Sequence, residues 1–156
     1  MPDDLVIYAW NQVPDPSGLA TALAEQLLGR HPGPLHHACP SCGSIEHGRP
    51  YFDAPVEVSV AHAPPVTLVA VSTSPRIGVD LERLGAVERA WVASEAVAKA
   101  HGVGVTGSGS VPPRTGELVD LTVPGHIAVL AVGEGPVPDV REWTGAAEAQ
   151  ALPTTR

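Results

Sequence analysis

Ile77-Gly78-Val79-Asp80-Leu81-Glu82, followed after a short connection by Trp91-Val92-Ala93-Ser94-Glu95-Ala96-Val97-Ala98-Lys99, is the stretch on which the fold turns. Asp80 and Glu82 stand two apart in an apolar run. A strand sends alternate side chains to one face, so both carboxylates point the same way. Trp91, Glu95 and Lys99 are spaced by four. On a helix they form one stripe, with Glu95 and Lys99 as neighbours. Packing strand and helix together brings three carboxylates toward one another. Hard divalent cations take oxygen ligands of this kind, and magnesium typically takes one or two carboxylates plus substrate phosphate. The plainer alternative is an edge strand with two solvated acids and a surface helix pair.

The flanking sequence reads as alternating short strands and helices. Residues 5–10 form an apolar strand, and Asp15-Pro16-Ser17 opens a helix over 18–28 with Leu19, Leu23 and Leu27 on one face. Residues 29–40, broken by Pro32, Pro34 and Pro40, read as loop. Val56, Val58 and Val60 alternate with polar or small residues as in a half-buried strand. Pro64-Pro65 turns the chain into a continuous apolar run, Val66–Ser72, the mark of a more buried strand. Residues 77–82 are the next strand and 87–101 the second helix. The Gly-, Ser- and Pro-rich stretch 102–116 reads as a mobile loop. Residues 118–123 and 127–132 form a second hairpin. The chain after Gly133 reads as loosely attached, with a short helix near 144–151.

Val66-Thr67-Leu68-Val69-Ala70-Val71-Ser72 aligns with Ile127-Ala128-Val129-Leu130-Ala131-Val132-Gly133, and Pro75 falls at the same offset as Pro136. Each run ends a strand–helix–strand–strand series. The expectation is an α+β fold of two similar strand–helix–hairpin halves, 1–75 and 76–156, related by a pseudo-two-fold axis, packed as one compact unit with a cleft between them.

Composition narrows the function. The chain has 156 residues, enough to bury a core, and 44% hydrophobic content with only 4% aromatic residues, so Val, Ala and Leu do the packing. A formal net charge of −8, with nine Lys plus Arg, argues against broad nucleic-acid binding. No apolar run approaches membrane-spanning length, and the first residues lack a basic leader. The expected location is the cytoplasm. One Lys among many Ala, Gly, Pro and Arg suggests a high-GC, actinobacterial type of genome.

Four elements follow one another in order: His47-Gly48-Arg49-Pro50, Ser59-Val60-Ala61-His62, the Gly78–Glu82 run, and the Trp91…Glu95-Ala96…Lys99 helix. This order resembles the 4′-phosphopantetheinyl transferases of the larger, surfactin-synthetase-associated type, over roughly residues 47 to 132. The resemblance implies their pseudo-dimeric fold with coenzyme A in the cleft. It implies that Asp80, Glu82 and Glu95 hold magnesium and that Glu95 takes the proton of the attacking serine of an acyl or peptidyl carrier protein. It implies that Lys99 stabilises phosphate charge, and that Arg49 and His62 lie near the phosphates of coenzyme A. The plainer alternative for Lys99 is an exposed partner of Glu95, and for His62 a strand-end histidine bonded to backbone.

Cys39-Pro40-Ser41-Cys42, with His36 or His37 before it and His47 after, supplies two thiolates and two imidazoles, a set that zinc takes tetrahedrally. The same pair could equally be a reduced dithiol or a disulfide.

The chain departs from the family pattern at four places. Ser94 stands where a lysine is expected, and Ala61 replaces the serine before His62. The family's long helical segment between the Asp-x-Glu strand and the Trp helix is reduced to residues 83–90. Arg30 is the single basic residue before Arg49. The leading expectation is magnesium-dependent transfer of 4′-phosphopantetheine from coenzyme A to a carrier serine. The alternatives are a related enzyme recruited to dehydrate or cyclise a small natural-product intermediate, and a non-catalytic protein that binds a carrier or coenzyme A.

Overall fold

The computed structural model describes residues 4–39, 42–43, 48–101, 117–133 and 135–144. The fold is mixed α+β, with nine strands and two helices among these residues. The first sheet has the order β4 (Glu57–Ala63), β5 (Val66–Ser72), β1 (Leu5–Asn11), β9 (Asp139–Glu142). Its strands are antiparallel except β1 and β9, which run parallel. The second sheet has the order β6 (Ile77–Arg83), β8 (His126–Val132), β7 (Leu118–Leu121), all antiparallel. A small ribbon pairs β2 (His36–Ala38) with β3 (Arg49–Tyr51).

Side-chain alternation decides what each face covers. Val6 and Tyr8 of β1, Val66, Leu68 and Ala70 of β5, Ile77, Val79 and Leu81 of β6, and Ala128, Leu130 and Val132 of β8 share one core between the two sheets. The opposite face of the first sheet, with Ile7, Ala9, Val69 and Val71, receives helix α1 (Ser17–Leu28) through Leu19, Ala20, Leu23 and Ala24. The opposite face of the second sheet, with Val129 and Ala131, receives helix α2 (Arg89–Ala100) through Val92, Ala93, Ala96, Val97 and Ala100. Each helix thus covers the outer face of its own sheet. Strand β5 is buried along its whole length, as its unbroken apolar run predicts.

The strand–helix–strand–strand series does recur: β1-α1-β4-β5 is built with the sheet order β1-β5-β4, and β6-α2-β7-β8 with β6-β8-β7. The register of the recurrence differs from the sequence alignment by one residue. Aligning Val66 with Ile127 would place core-facing Leu68 on Val129, which faces α2. Matching faces requires Val66 to correspond to His126, and then β5 and β8 coincide end to end. Short runs of Val, Ala and Leu look alike in either register, but a one-residue slip turns every side chain to the other face. In the matching register Asp80 corresponds to Ala9 and Glu82 to Asn11, so the carboxylates belong to one half alone.

Two other expectations are corrected. Residues 29–40 are not all loop, since His36–Ala38 pairs with Arg49–Tyr51; a three-residue strand is too short to carry a period. The chain after Gly133 is not loosely attached in full. Strand β9 pairs with β1 from Leu5↔Asp139 to Tyr8↔Glu142, and the Trp143 amide donates to the Tyr8 carbonyl at 2.8 Å. So short a segment, mostly charged, gives almost no strand signal of its own; the open edge of β1 recruits it. The expected loop 102–116 and most of the expected helix 144–151 lie outside the described residues. Among the described residues no helix is long and apolar enough to cross a membrane.

Candidate functional site

Strands β4 and β6 are the facing edges of the two sheets, and no backbone ladder joins them. Side chains bridge the seam instead. The Val79 amide donates to Ser59 Oγ at 3.0 Å, in a buried position. Lys99, the only lysine of the chain, reaches over from the last turn of α2. Its Nζ donates to the Val60 carbonyl of β4 at 3.1 Å, to the Val79 carbonyl of β6 at 2.9 Å and to Asp80 Oδ1 at 3.5 Å. An ammonium has three donors, and these three acceptors use them all. The plainer alternative, an exposed Glu95–Lys99 pair, is not what forms; the ion pair of Lys99 is with Asp80.

Asp80 lies on the α2 side of β6. Gly78, two residues earlier on the same face, lets the helix backbone sit directly on the strand: a Cβ there would collide with Ala96 and Ala100 backbone atoms. Close approach of the helix leaves the Asp80 side chain only 13% exposed. Burial, opposed by Lys99 and reinforced by the charge of Glu95, pushes its carboxyl up to about 6. Its Oδ2 is buried with no hydrogen-bond partner. Glu82 follows on the same face, half-buried, and Glu95 is half-buried on α2.

Arg49, on β3, donates from Nη1 to the Lys99 carbonyl at 2.8 Å and from Nη2 to Glu57 Oε1 at 3.3 Å. A cation on the last carbonyls of a helix is favoured by the helix dipole. Burial, then the like charge of Arg76, lowers its pKa from the usual arginine value, against the pull of Glu57.

His62 does not bond backbone. Its Nδ1 lies 3.1 Å from Thr67 Oγ1, whose hydroxyl donates to the Val13 carbonyl at 2.7 Å. With that hydrogen engaged, Thr67 accepts, so Nδ1 carries the ring proton and Nε2 is the acceptor of the neutral ring. Partial burial and the nearby Lys99 charge lower the pKa of His62. Both effects favour the neutral imidazole over the cation that would pair with a phosphate.

The other residues singled out by the motifs are placed as follows. Ser94 donates back to the Ala90 carbonyl of its own helix at 3.0 Å. Trp91 is 48% exposed. Ala61, at the place of the family serine, faces the shared core. Cys39 follows the β2 ribbon, Cys42 is exposed and His37 pairs opposite Pro50; His47 lies outside the described residues. Among the described residues no group of three or more His, Cys, Asp or Glu side chains stands ready to hold a metal ion. Three participants escaped sequence reasoning: Ser59 as acceptor across the seam, Glu57 as partner of Arg49, and Arg76. Their residue types are common on strands and loops, and no spacing marks them.

No protein-family model matches this chain, and no curated protein matches it.

Proposed function

We propose that this chain is a short 4′-phosphopantetheinyl transferase-like protein of pseudo-two-fold α+β fold. On this reading it is cytoplasmic and moves 4′-phosphopantetheine from coenzyme A to a serine of an acyl or peptidyl carrier protein. One observation carries the reading. The four motif elements, spread over some fifty residues, meet at one seam: Arg49 on the Lys99 carbonyl, Lys99 on Val60 beside His62, and Lys99 again on Val79 and Asp80.

Asp80, Glu82 and Glu95 do not form a ready three-carboxylate group as they stand, but their oxygen chemistry is of the kind magnesium takes. Asp80 presents a buried oxygen without a partner, in the field of Glu95, and a hard cation takes carboxylate oxygens. Asp80, Glu82 and Glu95 would hold it, and it would neutralise charge on the diphosphate of coenzyme A. Glu95, at the open side of α2, takes the proton of the carrier serine as its oxygen attacks phosphorus and adenosine 3′,5′-bisphosphate leaves. Lys99 acts from within: it closes the seam and holds Asp80 in place. Intact-mass measurement of apo carrier proteins with this protein, coenzyme A and magnesium tests the reading. A gain of one phosphopantetheine, lost in Asp80→Ala and Glu95→Ala while Ser94→Lys stays active, is the expected result. No modification of any carrier, with no thermal shift from coenzyme A and magnesium, rejects it.

A second reading is favoured by a specific observation. Arg49 and Lys99 direct their donors to the protein itself, while Asp80, raised to about 6, and neutral His62 are poised for proton transfer. An enzyme that dehydrates or cyclises a small intermediate would use such a pair. Failure to bind coenzyme A turns the assignment to this alternative.

A further inference from the structure

The two basic residues expected to meet phosphate are both engaged inside the protein. Lys99 Nζ has its three acceptors, and Arg49 is shared between the Lys99 carbonyl and Glu57. The other arginines can be sorted by their partners. Arg83 donates to the Pro64 carbonyl, Arg89 to Asp120 and Arg141 to Asp139. Among the described residues, this leaves the side chains of Arg30 and Arg76 without a hydrogen-bond or ion-pair partner.

Arg76 differs from Arg30 in its setting. It sits on the β5–β6 connection, exposed, and with Pro75, His101 and Gly133 it lines a cavity of about 360 Å³. Its backbone is held there by the Gly133 amide, which donates to the Arg76 carbonyl at 2.8 Å. Gly133 keeps the wall low: a Cβ would stand 3.3 Å from that of Arg76 and 3.5 Å from the Ala100 carbonyl oxygen. His101 directly follows α2, so the cavity lies at the C-terminal end of that helix, whose Lys99 carbonyl accepts from Arg49. Arg49 and Arg76 feel each other's charge, in a chain whose formal net charge is −8. Arg76, without an acid partner and within the electrostatic reach of Arg49, is a local basic spot on an acidic molecule.

We propose that Arg76 anchors a phosphate group in the cavity it forms with Pro75, His101 and Gly133, beside the engaged Arg49. A planar guanidinium grips two oxygens of a phosphate at once, and the unpartnered one is free to do so. The inference deepens the coenzyme A reading by naming the residue that receives a phosphate of the substrate, and rests on it only for the source of that phosphate.

Calorimetric titration of the full chain with inorganic pyrophosphate tests it, for wild type, Arg76→Ala, Arg76→Gln, Arg76→Lys and Arg30→Ala. The expected result is binding by wild type and Arg30→Ala alike. A loss of about tenfold or more is expected in Arg76→Ala and Arg76→Gln, with partial rescue in Arg76→Lys. A purely helix-supporting role for Arg76 would lower the unliganded melting temperature and leave pyrophosphate affinity unchanged, and that result overturns the proposal. So does an absence of pyrophosphate binding by wild type. Arg76-dependent pyrophosphate binding without carrier modification leaves this inference standing and removes the transferase. Carrier modification with equal affinity in wild type and Arg76→Ala does the reverse.

Discussion

At the scale of single residues, Asp80 is the point of greatest tension. A carboxylate at 13% exposure, with one oxygen unpartnered and Glu95 in range, is held there at a cost to stability. The folded carboxyl titrates at about 6 against an ordinary value of 3.8, so between those two values the folded state binds the extra proton. Stability contributed by this group is therefore lost as pH rises through that window. Asp80→Asn should melt several degrees above wild type at pH 8, a gain on the order of 3 kcal/mol, and the gap should close as pH falls toward 4. Melting curves of both proteins across that range decide it; a constant gap would mean that charge burial is not the cause. Magnesium should raise the melting temperature of wild type at pH 8 and leave Asp80→Asn unmoved, if Asp80 is a ligand. Groups that destabilise a fold in this way cluster at functional sites.

At the scale of elements, the contact between α2 and β6 places the site. Helix and strand touch backbone to backbone at Gly78, with only a strand glycine's missing Cβ to make room. This is why a glycine stands among the buried residues of this strand. Gly78→Ala would push the helix outward and withdraw Lys99 from Val60 and Val79 together. The expected cost is about 2–4 kcal/mol, read from denaturant unfolding. A cost below about 1 kcal/mol would show that α2 is free to shift on its sheet. The C-terminal end of the same helix is held from the other side by Arg49, so the helix is fixed at the two points that matter for Asp80.

At the scale of the whole molecule, two sheets share a core but are joined at their edges by side chains. Ser59 and Lys99 close the β4–β6 seam. Tyr8 links the sheets again, its hydroxyl accepting from the Thr122 amide at 3.0 Å. The segment after the second sheet returns to the first and covers the edge of β1. Ending the chain at Gly133 should therefore lower the melting temperature and promote self-association, because the unpaired edge of β1 and the surface under Trp143 become exposed. Light scattering and thermal melts of the shortened protein check this. A monomer of unchanged stability would mean that β9 only rests on the sheet.

Most strands and both helices are legible in the chain because their patterns are local. The alternation of Val56, Val58 and Val60 and the four-residue stripe of Trp91, Glu95 and Lys99 depend on the geometry of one element, and both elements form close to where that geometry puts them. The order of the four motifs is also in the sequence, and it singles out Arg49, His62, Asp80 and Lys99, which do come to one seam. What their side chains do there is decided by packing. Lys99 turns inward because two edge strands without a ladder present carbonyls that need donors, a need that belongs to neither strand alone. His62 carries a proton on Nδ1 because Thr67, fixed by Val13, can only accept. The register of the repeat, the recruitment of β9 and the lone guanidinium of Arg76 likewise depend on which surfaces remain uncovered once the sheets meet. A sequence specifies periodicity residue by residue; the partners of a polar group are set only when distant segments arrive together.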